Sequence, residues 1–365
     1  MAFNLITGNS ELADICNFYK NCNQLALDTE FKRETSYYPI PCLVQIEGGN
    51  QISLIDPLHI TDFSPLTTLL ADTHIVKILH ASRQDLEVFQ VLLNSTPTSI
   101  FDTQIAAALL GDPNQIGYST LVQQFFDIEL DKTLTRTDWE KRPLSDKELV
   151  YAANDVKYLN HIFQIQSEKL DKLNRLSWLE EEVNNMIVDS NGDDALDKVW
   201  KKISRSARLN AQQRNVAFAL NQWRENQAIK RNRARQFIIS NEVLMGIAFH
   251  QPNNISELNQ ISKIPKPFIK RYSEEILELI HAEDTRNLNI PDSTQQKLTP
   301  EENELLKILK STVQQVAAEL KIDESFVCNR KSLETLARGN IDNKVMQGWR
   351  KNNIGDQLLN IVQNG

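Results

Sequence analysis

Glycine is scarce in this chain: 11 of 365 residues, about 3% where about 7% is usual. That argues against a turn-dense all-β fold and against glycine-rich phosphate loops. Neither G-x-G-x-x-G nor G-x-x-x-x-G-K-[ST] occurs, so the usual backbone cradles for dinucleotides and nucleoside triphosphates are missing and no nucleotide cofactor is expected. H-E-x-x-H and G-x-S-x-G are missing too, which removes two common hydrolase chemistries. The four cysteines (Cys16, Cys22, Cys42, Cys328) form no C-x-x-C pair. They read as small buried hydrophobes in a reducing cytosol, with no zinc spacing and no disulfide framework. No apolar run reaches about 18 residues, so no membrane span is expected. The start, MAFNLITGNSELADIC, has no basic n-region and no apolar h-region and meets Glu11 and Asp14 at once. A signal peptide is not expected, and the location expected is cytoplasmic.

What remains is an ordinary globular composition, 41% hydrophobic and 24% charged. It excludes disorder as the main state and fits two or three domains. Strand signals occur at LALDTEF (25–31), CLVQIEGG (42–49), QISLIDP (51–57) and HIVKILH (74–80). Gly48-Gly49-Asn50 joins the middle two as a hairpin turn. Helices are expected at Glu11–Asn21, Phe63–Leu70, Arg83–Leu93, Thr103–Leu110 and Leu121–Phe126, then as one long helix from Asp146 to about Leu173. Helices interleaved with a hairpin-containing sheet imply an α/β domain with a mixed sheet. Beyond it no convincing strand appears. The expected order is an α/β domain (1–176), an acidic linker (177–196), an all-α domain (197–286), a second linker (287–300) and a second all-α domain (301–365).

Charge is uneven. From Lys198 to Arg235 eleven basic residues face one acid, Glu225, in a chain of formal net charge −8. A patch of one sign repels itself, so nucleic-acid or phosphate contact is the better reading than a merely solvated face.

Three segments carry carboxylates that want an explanation. On a strand, residues i and i+2 share a face, so in LALDTEF Asp28 and Glu30 point one way with Ala26 and Leu25, Leu27, Thr29 and Phe31 the other. Like charges a few ångströms apart cost about 4 kcal/mol at an effective dielectric of 20, which a protein tolerates if a proton or a cation intervenes. Asp85 stands where a strand end meets a helix start, at a capping-box spacing from Ser82. In PLSDKELVYAANDVKYL, Ser145 and Glu148 form a capping box, and Tyr151 and Asp155, at i and i+4, share a helix face beside small residues that let the helix approach the sheet. Four carboxylates and a phenol result. Oxygen ligands suit Mg²⁺ or Mn²⁺, and two such ions about 3.5–4 Å apart activate a water and stabilise the leaving oxygen of a phosphodiester. A neutral Tyr151 would orient that water.

The order D-x-E, Asp85, Y-x-x-x-D resembles the tyrosine-type DEDD 3′→5′ exonucleases. The phrases LALDTEFKRETSYYP, SLIDPL, KILHASRQDLEVF, FDTQIAAALLG, RTDWEKRPLS and YAANDVKYL resemble bacterial ribonuclease D in particular. The resemblance implies an RNase H-like sheet and stepwise release of nucleoside 5′-monophosphates from RNA 3′ ends, with tRNA precursors the family expectation. Carried over by position, Asp28, Glu30 and Asp155 would hold one metal ion. Asp28 and Asp85 would hold a second, Asp85 through water. Glu30 would approach the terminal 3′-hydroxyl and Tyr151 would position the nucleophile. RLNAQQRNVAFALNQWRENQAIKRNRARQFIISNEVLMGIA resembles an HRDC domain, a helical nucleic-acid-binding module, with Arg224, Lys230, Arg231, Arg233 and Arg235 its candidate contacts. The stretch from ELLKILKSTVQQVAAEL to GWRKNNIGDQLL resembles a second, divergent HRDC-like module. A monomer is expected. His80 is read as structural rather than substrate-binding, and Arg136 and Arg142 either grip phosphates or form salt bridges. Two competing readings are a DNA 3′→5′ exonuclease and a catalytically silent RNA-binding protein.

Overall fold

The computed structural model describes residues 2–131, 134, 137–191, 200, 209–288, 290 and 298–364. They divide into two compact units: Met1–Lys32 with Pro41–Ser190 and Lys297–Gly365, and Arg33–Ile40 with Asn191–Gln296.

The first unit is built on a six-stranded mixed sheet in the order β1-β4-β3-β2-β5-β6. The strands are β1 (Asn4–Ile6), β2 (Gln24–Lys32), β3 (Ile40–Gly48), β4 (Gln51–Ile55), β5 (Val76–Leu79) and β6 (Ile100–Asp102). β1–β4, β2–β5 and β5–β6 pair in parallel, and β3–β4 pair antiparallel. The β3–β4 turn has φ of 57° at Gly49 and 63° at Asn50, the two left-handed positions that a tight hairpin requires. β1 and β6 are three-residue strands, too short to alternate visibly, and sequence reasoning missed both. One face of the sheet buries Leu25, Leu27, Val44 and Ile46 against α1 (Asn9–Tyr19) and α2 (Ser64–Ala71). The other is covered by α6 (Asp146–Lys157), which packs on β2 and β4, and α7 (Leu159–Lys172), which packs on β2 and β5. Between these come α3 (Arg83–Leu93), α4 (Thr103–Leu109) and α5 (Tyr118–Phe126).

The single long helix expected over 146–173 is two. The hydroxyl of Tyr118, from α5, donates to the Asn154 carbonyl (2.9 Å) and accepts from the Tyr158 amide (3.1 Å). That carbonyl and amide would otherwise bond each other. A side chain inserted in the i→i+4 ladder is a recognised cause of a helix break.

The acidic linker expected at 177–196 is helical as far as Asn191, as α8 (Leu176–Asn191); 192–196 lie outside the described residues. The physical reason is distant in sequence. Trp178 stacks on Trp349 with centroids 4.6 Å apart and planes 9° apart. Glu181 accepts from the Trp349 amide (2.9 Å), and Glu182 accepts from the Trp349 indole (2.8 Å) and pairs with Arg350. Arg175 donates to the carbonyls of Leu109 and Leu320, both at 2.6 Å. The C-terminal helices are therefore part of the first unit. Of the second expected linker, 289 and 291–297 lie outside the described residues.

The helical segments of the two C-terminal regions follow one order. Ala211–Arg231, Arg235–Ile238, Asn241–His250, Ile255–Leu258 and Lys266–His281 lie in the second unit. Pro300–Leu320, Glu324–Val327, Arg330–Ala337, Lys344–Met346 and a helical run from Gly348 to Asn364 follow in the first. Both series open with a 21-residue helix, started by a capping box and ended by a left-handed residue, Asn232 or Lys321.

Replacing Trp178 by Ala should test the α8 contact. Loss of a stacked aromatic pair costs about 0.5–1.5 kcal/mol beyond the buried area. Limited proteolysis should then cut within 298–364 ahead of the sheet domain. An unchanged urea midpoint and cleavage pattern would contradict this packing.

Candidate active site

β2 is the base of the site. Its apolar residues are drawn into the core, so alternation turns Asp28 and Glu30 to the α6 side. Ala152 and Ala153 are fully buried beneath α6, and Asp155 on that helix meets the strand. One carboxylate oxygen from each of Asp28, Glu30 and Asp155 lies within 4.8 Å of the others. Asp85 is outside that trio but close enough to raise the pKa of both Asp28 and Glu30.

Asp85 does not complete a capping box with Ser82. The Ser82 hydroxyl instead donates to buried Asp102 (2.8 Å). Asp102 also accepts from the amides of Ala81, Ser82, Gln104 and Ile105. It thereby holds the turn between β5 and α3, where Ala81 has a left-handed φ of 57°, a conformation that needs support in a non-glycine residue. Asp85 is left to face the site, accepting from the Thr29 hydroxyl at 2.6 Å. Sequence reasoning missed Thr29, assigned only to the apolar face of β2, and Asp102. The placement of Asp102 one residue before a helix, where it caps α4, was the available signal.

The electrostatics follow from crowding. Burial, then Asp85, Asp155 and Glu30, push Asp28 well above the usual carboxylate range. Burial, then Asp155 and Asp85, raise Glu30 to about 9. Burial raises Asp85 and Asp155 to about 7. The same burial and negative neighbours push the Tyr151 phenol up, so it stays neutral. The donor set is all oxygen and strongly anionic, which fits hard divalent cations.

Tyr151 lies against Trp139, ring centroids 6.0 Å apart. The Trp139 segment is tied down by Arg142, whose guanidinium pairs with Asp56 (2.6 and 2.8 Å) and donates to the carbonyls of Cys42 (2.6 Å) and Trp139 (2.7 Å). Arg142 is thus a salt-bridge residue. Arg136 lies outside the described residues. His80 sits between the Thr103 hydroxyl and the Ile116 carbonyl, both at 2.9 Å, which is a structural placement. Burial lowers its pKa.

A family model described as 3′-5′ exonuclease matches residues 3–171, and an HRDC domain model matches 213–280. Ribonuclease D of Pseudomonas paraeruginosa is 34% identical over 366 residues, covering 98% of this chain and 97% of its own. This chain belongs to the ribonuclease D family. The Haemophilus influenzae ribonuclease D is 33% identical, covering 99% of this chain and 93% of its own. The crystal structure of Escherichia coli RNase D, described as an exoribonuclease involved in structured RNA processing, matches with a TM-score of 0.89 at 30% identity and covers 100% of this chain and 99% of its own. The chain is accordingly a 3′→5′ exoribonuclease with an α/β exonuclease domain, an HRDC domain, and a site of the kind that uses divalent metal.

The HRDC region corrects one expectation. Arg224 is 1% exposed. It donates to Asn241 (2.7 Å), Asn221 (3.0 Å) and the Ile239 carbonyl (3.3 Å), so it ties helices together and cannot meet RNA. Its place on the buried stripe of Ala217, Leu220 and Ala228 was legible in the helical spacing. Arg235 is half-buried, paired with Glu225 and lying 4.9 Å from the Tyr37 ring. Lys230, Arg231 and Arg233 are exposed, with Phe237, 47% exposed, 5.8 Å from the Arg233 guanidinium. Lys198, Lys201, Lys202, Arg205 and Arg208 lie outside the described residues. No helix among the described residues is long and apolar enough to cross a membrane.

Two outcomes are expected. Buried acids whose native pKa lies above the unfolded value of about 4 bind more protons folded than unfolded, so stability falls as pH rises. In EDTA the melting temperature should drop from pH 5 to 9, as Asp85, Asp155 and then Glu30 lose protons. Asp28→Asn should flatten that drop, and Mn²⁺ should stabilise more at pH 8 than at pH 5; parallel wild-type and variant curves would contradict the coupling. Tyr118→Phe lets Asn154 and Tyr158 bond each other and shifts Asp155. Because a displacement of about 1 Å can cost about 10²-fold, kcat should fall at least tenfold while the melting temperature holds or rises.

Proposed function

We propose that this protein trims the 3′ ends of structured RNAs, tRNA precursors among them, as a cytoplasmic monomer dependent on two Mg²⁺ or Mn²⁺ ions. The observation that carries the catalytic reading is the convergence of Asp28, Glu30 and Asp155 from two elements, with Asp85 beside them. Asp28, Glu30 and Asp155 would hold one ion, and Asp28 with Asp85 the second. Ions held there supply an activated water and charge stabilisation of the leaving oxygen.

The chain's own residues do the rest. Tyr151, kept neutral by its surroundings, donates its phenolic hydrogen or accepts one to orient the attacking water. Glu30 approaches the terminal 3′-hydroxyl. Thr29 fixes one oxygen of Asp85, leaving the other to face the site. Breakage of the last phosphodiester frees a nucleoside 5′-monophosphate and a new 3′-hydroxyl. Lys230, Arg231 and Arg233, with Phe237 beside them, combine phosphate-binding charge with a base-stacking surface, which supports a role in holding longer RNA. The shared element order supports reading residues 301–365 as a second HRDC-like module. The structured-RNA role described for the E. coli relative supports the substrate class.

Asp155→Asn should lose at least about 10²–10³ in rate, the scale of removing one strong electrostatic stabiliser, and near-normal activity would remove Asp155 from the site. Tyr151→Phe should lose about 10²–10⁴ in turnover with RNA affinity nearly unchanged; a parallel fall in affinity without loss of single-turnover rate would make the phenol a substrate-binding group. Matched RNA and DNA oligonucleotides test the substrate; RNA should be cut faster, and faster cleavage of DNA would favour the DNA reading. Changing Lys230, Arg231 and Arg233 together to Gln should flatten the slope of log affinity against log salt by up to about 2 for a tRNA-sized ligand, at about 0.7 per phosphate contact. Equal slopes would mean that the patch does not touch RNA.

A further inference from the structure

Gln45 is the one side chain among the described residues with both polar atoms buried and both without a hydrogen-bond partner. It is 0% exposed. Leaving a buried polar group unpaired forfeits its hydration with nothing in return. Such groups are rare enough in native proteins to point to a bound water, an ion or a role in chemistry.

Its place in the sheet says which. Val44 and Ile46 join the apolar core with Leu25 and Leu27, so Gln45 faces the other way, to the side of Ala26, Asp28 and Glu30. β2 and β3 are neighbours joined by a short connection, Arg33 to Pro39, and so short a link permits only antiparallel pairing. Gly48 lies against Leu25. Three residues back along β3 and three forward along β2 set Gln45 beside Asp28. α6, which carries Tyr151 and Asp155, packs across β2 and β4 and roofs this position. The next polar group of β3 on that face, Glu47, is already paired with Asn160.

Asp28, by contrast, faces three other carboxylates and is tempered by a backbone hydrogen bond from Thr29. An unpartnered donor therefore adjoins an acceptor that needs one. Buried waters make about three hydrogen bonds, so one water could satisfy the amide, the carbonyl oxygen and an Asp28 oxygen together.

We propose that Gln45 is a positioning residue for Asp28: through a water held beneath α6, its carboxamide fixes the orientation in which Asp28 presents itself to divalent cations. This rests on the metal-site reading above. Partners of this outer kind typically alter metal affinity 10–100-fold when removed.

The test uses the full chain and Mn²⁺ alone as probe, followed by calorimetry, with melting in EDTA and steady-state kinetics alongside. Gln45→Met keeps the volume and removes both polar atoms. It should melt close to the wild-type temperature in EDTA, because the packing volume is kept and both polar atoms leave together with the need to satisfy them. Its Mn²⁺ affinity should fall at least tenfold, and kcat should drop while KM for RNA holds. Gln45→Asn, with the amide one methylene short, should fall between Met and wild type; it also serves if Gln45→Met fails to fold. Wild-type Mn²⁺ affinity in the Met variant, or an equal loss in Met and Asn variants together with a lowered melting temperature, would overturn the proposal. Asp28→Asn separates the two readings. If it abolishes Mn²⁺ binding and Gln45→Met does not weaken it, only the role of Gln45 fails; if neither changes binding, the metal site itself fails.

Discussion

Mutual repulsion among buried carboxylates is the constraint on which this structure turns. Asp28, Glu30 and Asp155 share a space small enough for one cation to touch all three, with Asp85 at its edge. Left alone, such a cluster favours protonation or expansion. The rest of the exonuclease domain prevents both expansion and drift. β2 fixes two of the acids by alternation, α6 brings the third on a helix thinned by Ala152 and Ala153, and the β5–α3 turn delivers the fourth. Each is anchored from outside the site: Asp85 by Thr29 and the Asp102-held turn, Asp155 by the Tyr118-broken helix, and the Tyr151 environment by Arg142 through Trp139. The fold stores an electrostatic imbalance that divalent cations relieve.

Legibility in the sequence followed the range of the interactions. The carboxylates of β2 and the Tyr151–Asp155 pair were readable because strand and helix periods alone place them. Helices with caps, such as that begun by Ser145 and Glu148, were readable for the same reason. β1 and β6 were not, since three residues in an edge position carry no pattern. Nor was the break at Tyr158, because its cause is a hydroxyl from a different helix. α8 was mistaken for a linker because Glu181 and Glu182 look solvated until partners about 170 residues later are known.

The basic run shows the same limit from the other side. Summed charge from Lys198 to Arg235 predicts a surface field, but a sum treats every cation alike. Helical spacing separates them. Arg224 falls on the apolar stripe and is spent on carbonyl and amide oxygens, Arg235 pairs with Glu225 beside Tyr37, and Lys230, Arg231 and Arg233 lie on the exposed side. Charge counting marks the region; helical geometry decides which of its cations are exposed.

The union of α8 with the C-terminal helices has a consequence in the time order of synthesis. Every acid of the site is complete once residue 155 has been made. Trp178, Glu181 and Glu182 follow soon after, but Trp349 and Arg350 come about 170 residues later. At 5–20 residues per second that interval is on the order of 10–30 s. A nascent chain therefore carries a finished active-site sheet beside a helix whose aromatic and acidic face has no partner. Until Trp349 and Arg350 have been made, the Trp178 face of α8 lacks its stacking partner and its ion pair.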